Sequence, residues 1–103
     1  MEKYKVVVSE QAKKQLIAHA AFLAKVSRSA AERLAKQFAA AAKSLETMPQ
    51  RCSWLTGEYI SRNIYRQLVF EKRYLLIFQV KDGTVYIEYV IDCRQDYGWL
   101  IGE

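Results

Sequence analysis

The run Tyr74-Leu75-Leu76-Ile77-Phe78 constrains this chain most, because five apolar residues in unbroken succession do not alternate as a half-exposed strand would. Such a strand belongs at the centre of a sheet. It lies within Arg73 to Val80, between two further strand-like runs at tight spacing. Ile64 to Phe70 precedes it across the polar pair Glu71-Lys72, and Val85 to Ile91 follows it across Lys81-Asp82-Gly83-Thr84. Asp-Gly between two such runs is the strongest short-range hairpin signal. The segment therefore reads as a three-strand meander. In its first strand Tyr65, Gln67 and Val69 share a face, opposite Ile64, Arg66, Leu68 and Phe70. In its last, period two places Val85, Ile87, Tyr89 and Ile91 together, opposite Tyr86, Glu88 and Val90.

The N-terminal half has a different period. Lys3 to Val8 is a short strand with Tyr4, Val6 and Val8 on one face. Ser9 is a good helix N-cap, and Glu10 places a negative charge at the helix start. A first helix is predicted from Glu10 to about Lys25, with Ala12, Leu16, Ala20 and Leu23 as its apolar stripe. Val26-Ser27-Arg28 breaks it. Ser29-Ala30-Ala31-Glu32 reads as a capping box opening a second helix. Its stripe is Leu34, Phe38, Ala41, Leu45 and Met48, and Pro49 stops it. Gln50 to Arg62 is an irregular connection in which Trp54 and Leu55 are expected to pin the chain to the body. Asp92 to Glu103 closes the chain, with one helical turn expected around Gln95 to Leu100.

The expected fold is therefore α+β, in the order β-α-α-β-β-β. A helical hairpin should cover one face of a four-stranded antiparallel sheet, the other face being half open or filled by a partner. At 103 residues this is one domain, residues 1–103, with room for one modest core. Neither a signal peptide nor a membrane span is read: three valines after Lys5 are too few for the first, and Ile17 to Ala24 is too short for the second.

Composition removes several chemistries. One histidine, His19, and two cysteines, Cys52 and Cys93, argue against a zinc site or a disulfide framework. The cysteines read as reduced and buried or half-buried, in a cytoplasmic protein. No metal or cofactor is expected. No phosphate-binding glycine loop, H-E-x-x-H or G-x-S-x-G is present. His19 reads as an exposed or partly covered helix residue with no carboxylate placed to orient it. The charge of +5 suits an acidic protein or a nucleic acid. What remains is a group of cations and aromatics on the sheet and its margins: Arg62, Arg66, Lys72, Arg73 and Arg94, with Tyr65, Tyr74, Tyr86, Tyr97 and Trp99. Guanidinium forks grip phosphate or carboxylate, and tyrosine adds stacking and a hydroxyl. The competing reading is a solvated charged face with tyrosines as cross-strand pairs.

In order and spacing, several segments resemble the RelE/ParE superfamily of bacterial toxin–antitoxin toxins. They are Tyr4-Lys5-Val6-Val7-Val8-Ser9-Glu10-Gln11-Ala12, Leu45-Glu46-Thr47-Met48-Pro49, Ile64-Tyr65-Arg66-Gln67-Leu68, Arg73 to Val80, Val85 to Ile91 and Cys93-Arg94-Gln95-Asp96-Tyr97. The resemblance implies one of two activities. RelE-like members cut ribosome-bound mRNA without metal, using a lysine, arginine and tyrosine cluster. ParE-like members share the fold and poison DNA gyrase.

Position by position, Arg66 falls where one lysine of the RelE-type cluster would lie and Leu68 where the second would. Leu75 and Gln95 fall at arginine positions, and Ile101 falls near the tyrosine. The ending Arg94-Gln95-Asp96-Tyr97 is similar to the ParE side. The resemblance thus implies a toxin that interferes with gyrase, inhibits growth, stabilises plasmids and is neutralised by an antitoxin with an acidic or disordered C-terminal segment. Operator DNA would be reached only through that antitoxin. The binding surface implied is Arg62, Tyr65, Arg66, Arg73, Arg94 and Tyr97. In the alternative, a ribonuclease acting with ribosome and mRNA, the catalytic set would be Arg66, Arg73, Arg94 and Tyr97. A third reading is a toxin that only binds its antitoxin.

Overall fold

The computed structural model describes residues 3–58 and 60–94. Its elements are β1 (Lys5–Val8), α1 (Glu10–Ala24), α2 (Arg28–Ser44), a 3₁₀ turn (Pro49–Arg51), β2 (Arg66–Phe70), β3 (Tyr74–Lys81) and β4 (Thr84–Asp92). They form one four-stranded sheet in the order β1-β4-β3-β2. The α+β class and element order are as expected, and β3 is central. The sheet, however, is mixed rather than antiparallel: β1 runs parallel to β4, with Lys5 opposite Thr84 and Val8 opposite Ile87. Tight turns join only β2 to β3 and β3 to β4, and only tight turns force antiparallel pairing. The helical pair between β1 and β2 is a crossover long enough to permit parallel pairing.

Two turns carry the meander. Asp82 and Gly83 both have positive φ, 50° and 77°, between the paired residues Lys81 and Thr84. This is the two-residue hairpin that Asp-Gly encodes. Glu71 and Lys72 also have positive φ, although neither is glycine. At the other chain reversal Ser27, not Ser29, caps α2: its hydroxyl accepts from the Ala30 amide at 3.2 Å. Either serine can cap, and the earlier one starts the helix at Arg28. At the far end α2 stops at Ser44, four residues before the expected Met48. Pro49 disfavours a helical residue before it, and Met48 takes φ 45° and is 66% exposed.

β3 separates two apolar clusters. On the helical side Tyr74, Leu76 and Phe78 pack with Leu34, Phe38 and Leu45, and with Val85, Ile87 and Val90 from β4. On the opposite side Leu75, Ile77 and Ile91 pack with Leu55 and Ile60, flanked by Tyr65 and Tyr89. The second face is thus partly covered by the chain's own 50–65 connection, which is anchored by fully buried Leu55. That connection also runs along the β2 edge. The Gln67 amide donates to the Ser53 carbonyl at 3.0 Å, and the Leu55 amide to the Tyr65 carbonyl at 2.7 Å.

β4 departs from strict alternation. Ile77 faces Tyr89 and Phe78 faces Ile87, so Glu88 is the extra residue of a bulge. The expected grouping of Val85, Ile87, Tyr89 and Ile91 is therefore split. Val85 and Ile87 stay with Val90 on the helical side, while Tyr89 and Ile91 face the other way.

β1 ends at Val8, so β4 runs on beyond it from Glu88 with no strand on that side. Side chains of α1 complete the edge. Gln15 Oε1 accepts from the Val90 amide at 2.7 Å, and His19 Nε2 donates to the Val90 carbonyl at 3.0 Å. The two are four residues apart, on one helix face. The His19 ring also lies against Tyr74, with centroids 5.2 Å apart. Of the cysteines, Cys52 is buried as expected, but Cys93 is exposed because it follows the last β4 residue.

Two stability measurements check these assignments. Gly83→Ala introduces no steric contact, since nothing lies within 4 Å of the added carbon. It should lower urea-unfolding stability by about 1 kcal/mol through backbone strain alone; an unchanged midpoint would contradict the turn geometry. His19→Ala removes the partner of the Val90 carbonyl and should cost about 1–3 kcal/mol, whereas an exposed helix histidine would cost almost nothing.

Candidate interaction surface

The sheet carries the singled-out arginines to two places. Arg66 begins β2 opposite Phe78, and Arg73 immediately precedes Tyr74, the partner of Phe70. Four residues of strand separate these pairs, roughly 13 Å at the rise of a β-strand. Arg66, Arg73 and Arg94 therefore do not converge on one point.

At the first place Arg66 is a structural clamp with spare donors. Its NH1 donates to the Gln50 carbonyl at 3.1 Å and to the Cys52 carbonyl at 2.6 Å. Its guanidinium carbon lies 3.8 Å from the centroid of the Trp54 ring. Guanidinium over indole is a favourable electrostatic stack, and it holds Trp54 in place while leaving that residue 39% exposed. Arg62 is exposed in a recess on the other side, which it lines with Trp54, Glu58 and Ile60. Tyr65 is different: its ring meets Tyr89 edge-on, with centroids 6.1 Å apart, beside the second apolar cluster. It is a half-buried packing residue. Burial pushes the Cys52 thiol above its ordinary pKa, with Arg51 and Arg66 acting in the opposite sense.

At the second place Arg94 is paired internally. Its Nε donates to Asp92 Oδ1 at 3.2 Å and its NH2 to Asp92 Oδ2 at 2.9 Å, and its backbone amide adds a further bond to Oδ1 at 2.9 Å. These bonds, the side-chain ones foremost, hold the Asp92 carboxyl below the usual carboxylate pKa against the opposing effect of its burial. Burial pushes the neighbouring Tyr74 phenol up, and Asp92 adds to the effect. Asp92 and Arg94 line a cleft of about 600 Å3 with His19, Tyr74, Ala18 and Phe22. Arg73 is exposed beside the Arg33–Glu71 ion pair, whose Nε–Oε2 distance is 2.6 Å. Its side chain has no hydrogen-bond partner among the described residues. Tyr97, Gln95, Ile101 and the expected C-terminal turn lie outside the described residues.

The arrangement offers cations and apolar surface at both ends of the sheet. At the two intervening positions of the RelE-type cluster it offers hydrocarbon. Leu75 is 3% exposed in the second cluster, and Leu68 packs against the first. Neither can donate, accept or transfer a proton. Among the described residues no group of three or more His, Cys, Asp or Glu side chains could hold a metal ion. No helix among them is long and apolar enough to cross a membrane. The Trp54–Arg66 stack was not legible in the sequence, although aromatic residues in the 50–62 connection hinted at it.

The Asp92–Arg94 pair has a pH signature. The folded carboxyl has the lowered pKa, so its stabilisation is complete above the ordinary aspartate value near ~4 and is lost as pH falls below it. Asp92→Asn should therefore melt below the wild type at pH 7, and the gap should close as the solution is acidified through that range. A gap that persists at low pH would assign the loss to packing.

The model of a ParE toxin of type II toxin-antitoxin systems, parDE, matches residues 6–97 of the chain. No curated protein sequence matches it. Among solved structures, the chromosomal ParDE TA system from P. aeruginosa superposes with a TM-score of 0.68 at 15% identity, over 87% of this chain and 96% of that one. At that identity the likeness speaks for the fold alone. The family match spans the strand, the helical pair, the clamped connection and the meander described above, and on that ground the chain belongs to the ParE toxin family of type II toxin–antitoxin systems.

Proposed function

We propose that this chain is a growth-inhibiting toxin of the bacterial cytoplasm that interferes with DNA gyrase by protein–protein contact and breaks no bond itself. Family membership supports a toxin with an antitoxin partner. The observation that carries the choice of mechanism is the packing of Leu75, buried in the second apolar cluster, and of Leu68, half-buried against the first. Metal-free RNA cleavage needs a base for the 2′-hydroxyl and cations around the phosphate, and these positions hold hydrocarbon side chains instead. The charge of +5 supports neutralisation by an antitoxin with an acidic C-terminal segment, through ion pairing combined with apolar burial. Operator DNA would then be bound through the antitoxin.

Arg62, Arg66, Arg73 and Arg94 are the proposed contact residues of the described chain, with Tyr97 in the C-terminal segment. Tyr65 supports the surface from its packed position. Arg73 is the cleanest probe, because its exposed side chain makes no hydrogen bond or salt bridge among the described residues.

The purified chain should inhibit supercoiling by DNA gyrase, and the cognate antitoxin should relieve the inhibition. Arg73→Glu should weaken inhibition about tenfold or more at unchanged melting temperature. Full supercoiling activity at saturating toxin would overturn the gyrase reading. New cuts in translated mRNA, lost in Arg66→Ala, would establish the ribonuclease instead. Unaffected growth on expression without antitoxin would leave a chain that only binds its partner.

A further inference from the structure

A recess of about 420 Å3 opens between the 50–64 connection and the start of the β3–β4 hairpin. Its volume lies within the ~300–1,000 Å3 range of small-ligand sites. Three properties together characterise it. The first is charge: Arg66 and Lys81 line it and no carboxylate does among the described residues. Asp82, the nearest acid in sequence to Lys81, lines a different recess on the β1 side.

The second property is a flat, pre-positioned surface. Trp54 cannot swing freely, because the Arg66 guanidinium stacks on it and is itself tethered to two backbone carbonyls. Those two bonds use NH1. The Nε–H and the NH2 hydrogens of Arg66 have no acceptor among the described residues. Ile64, 40% exposed, adds apolar surface to the same wall.

The third property is a set of oriented amides. Gln79 Nε2 donates to the Glu88 carboxylate, which can only accept, so the Gln79 carbonyl oxygen is left over as an acceptor. Gln50 Nε2 donates to Tyr4 Oη at 2.8 Å and likewise leaves its oxygen. Asn63 completes the wall. Carbonyl oxygens with their amino groups committed elsewhere suit an exocyclic amine.

We propose that this recess binds a nucleotide whose base carries an exocyclic amine (adenine, cytosine or guanine, as against uracil or thymine), its phosphate meeting Arg66 and Lys81 and its base resting on the Trp54 wall. Stacking on an indole, charge-assisted contact to phosphate and amide readout of a base edge are each well suited to such a ligand. A peptide carboxylate would use the two cations, and its backbone N–H groups could reach the Gln79 oxygen, but it would leave the flat indole surface without a role. The recess shares Arg66 with the surface proposed for gyrase, but nucleotide binding does not depend on that reading, and a direct titration without gyrase tests it alone. The ligand is either a free nucleotide or one unit of a single strand, and the test separates the two sources.

The test is calorimetric titration of the full chain with adenosine monophosphate, with a short single-stranded oligoadenylate, with inorganic phosphate and with an acidic peptide of matched charge. Saturable binding of the monophosphate, tighter than that of phosphate, supports a free nucleotide; saturable binding of the oligonucleotide alone supports a strand. Lys81→Glu should weaken either about tenfold or more. The Lys81 side chain has no hydrogen-bond or ion-pair partner among the described residues, so this variant keeps the fold, and its melting temperature verifies that. Lys36→Glu, the same charge change on the outer face of α2, should leave binding within about twofold. Equal weakening in both variants would reduce the effect to net charge and overturn the proposal. So would binding of the acidic peptide alone, or no saturable binding of either nucleotide form.

Discussion

The burial of β3 on both faces is the constraint on which the rest depends. A strand reading Tyr74-Leu75-Leu76-Ile77-Phe78 must have apolar cover above and below. The helical pair provides one cover and the long connection provides the other through Leu55 and Ile60. The second requirement explains why a segment with little regular structure is fastened so firmly. It is bonded along the β2 edge at Ser53 and Leu55, and clamped at Gln50 and Cys52 by Arg66. An arginine that sequence reasoning places on a binding surface is thereby also part of the device that closes the core.

The same frame accounts for β4. Nine residues of β4 lie beside four of β1, so part of its edge has no neighbouring strand. Gln15 and His19 replace the missing strand by giving the Val90 amide and carbonyl their partners. The single histidine of the chain is thus satisfied structurally. Orphaned backbone groups at a buried sheet edge are costly, so the helix must sit close and in one rotation.

Much of this was legible from local chemistry. The Asp82-Gly83 hairpin, the central strand and the Ser9 cap follow from turn propensity, hydrophobic run length and capping. What was hidden depends on tertiary choice. Nothing in Val85 to Ile91 distinguishes a regular strand from one bulged at Glu88. Ser27 and Ser29 are equally competent caps, and the start of α2 decides between them. Parallel pairing of β1 needs only a long enough crossover, which length allows without requiring. The arginines were visible as residue types, but their separation between the two ends of the sheet, and the pairing of Arg94 with Asp92, follow from strand register.

In functional terms the chain presents cations with apolar neighbours at both ends of its sheet, and leucines packed on the apolar clusters where an RNA-cleaving relative would need proton donors. Such a surface is suited to holding another macromolecule. Hydrogen–deuterium exchange of the chain mixed with purified DNA gyrase tests this most directly. Slower exchange is predicted across residues 53–66 and at 92–94, with the amides of α1 and α2 unchanged. Protection confined to the helices, or none at saturating gyrase, would contradict it.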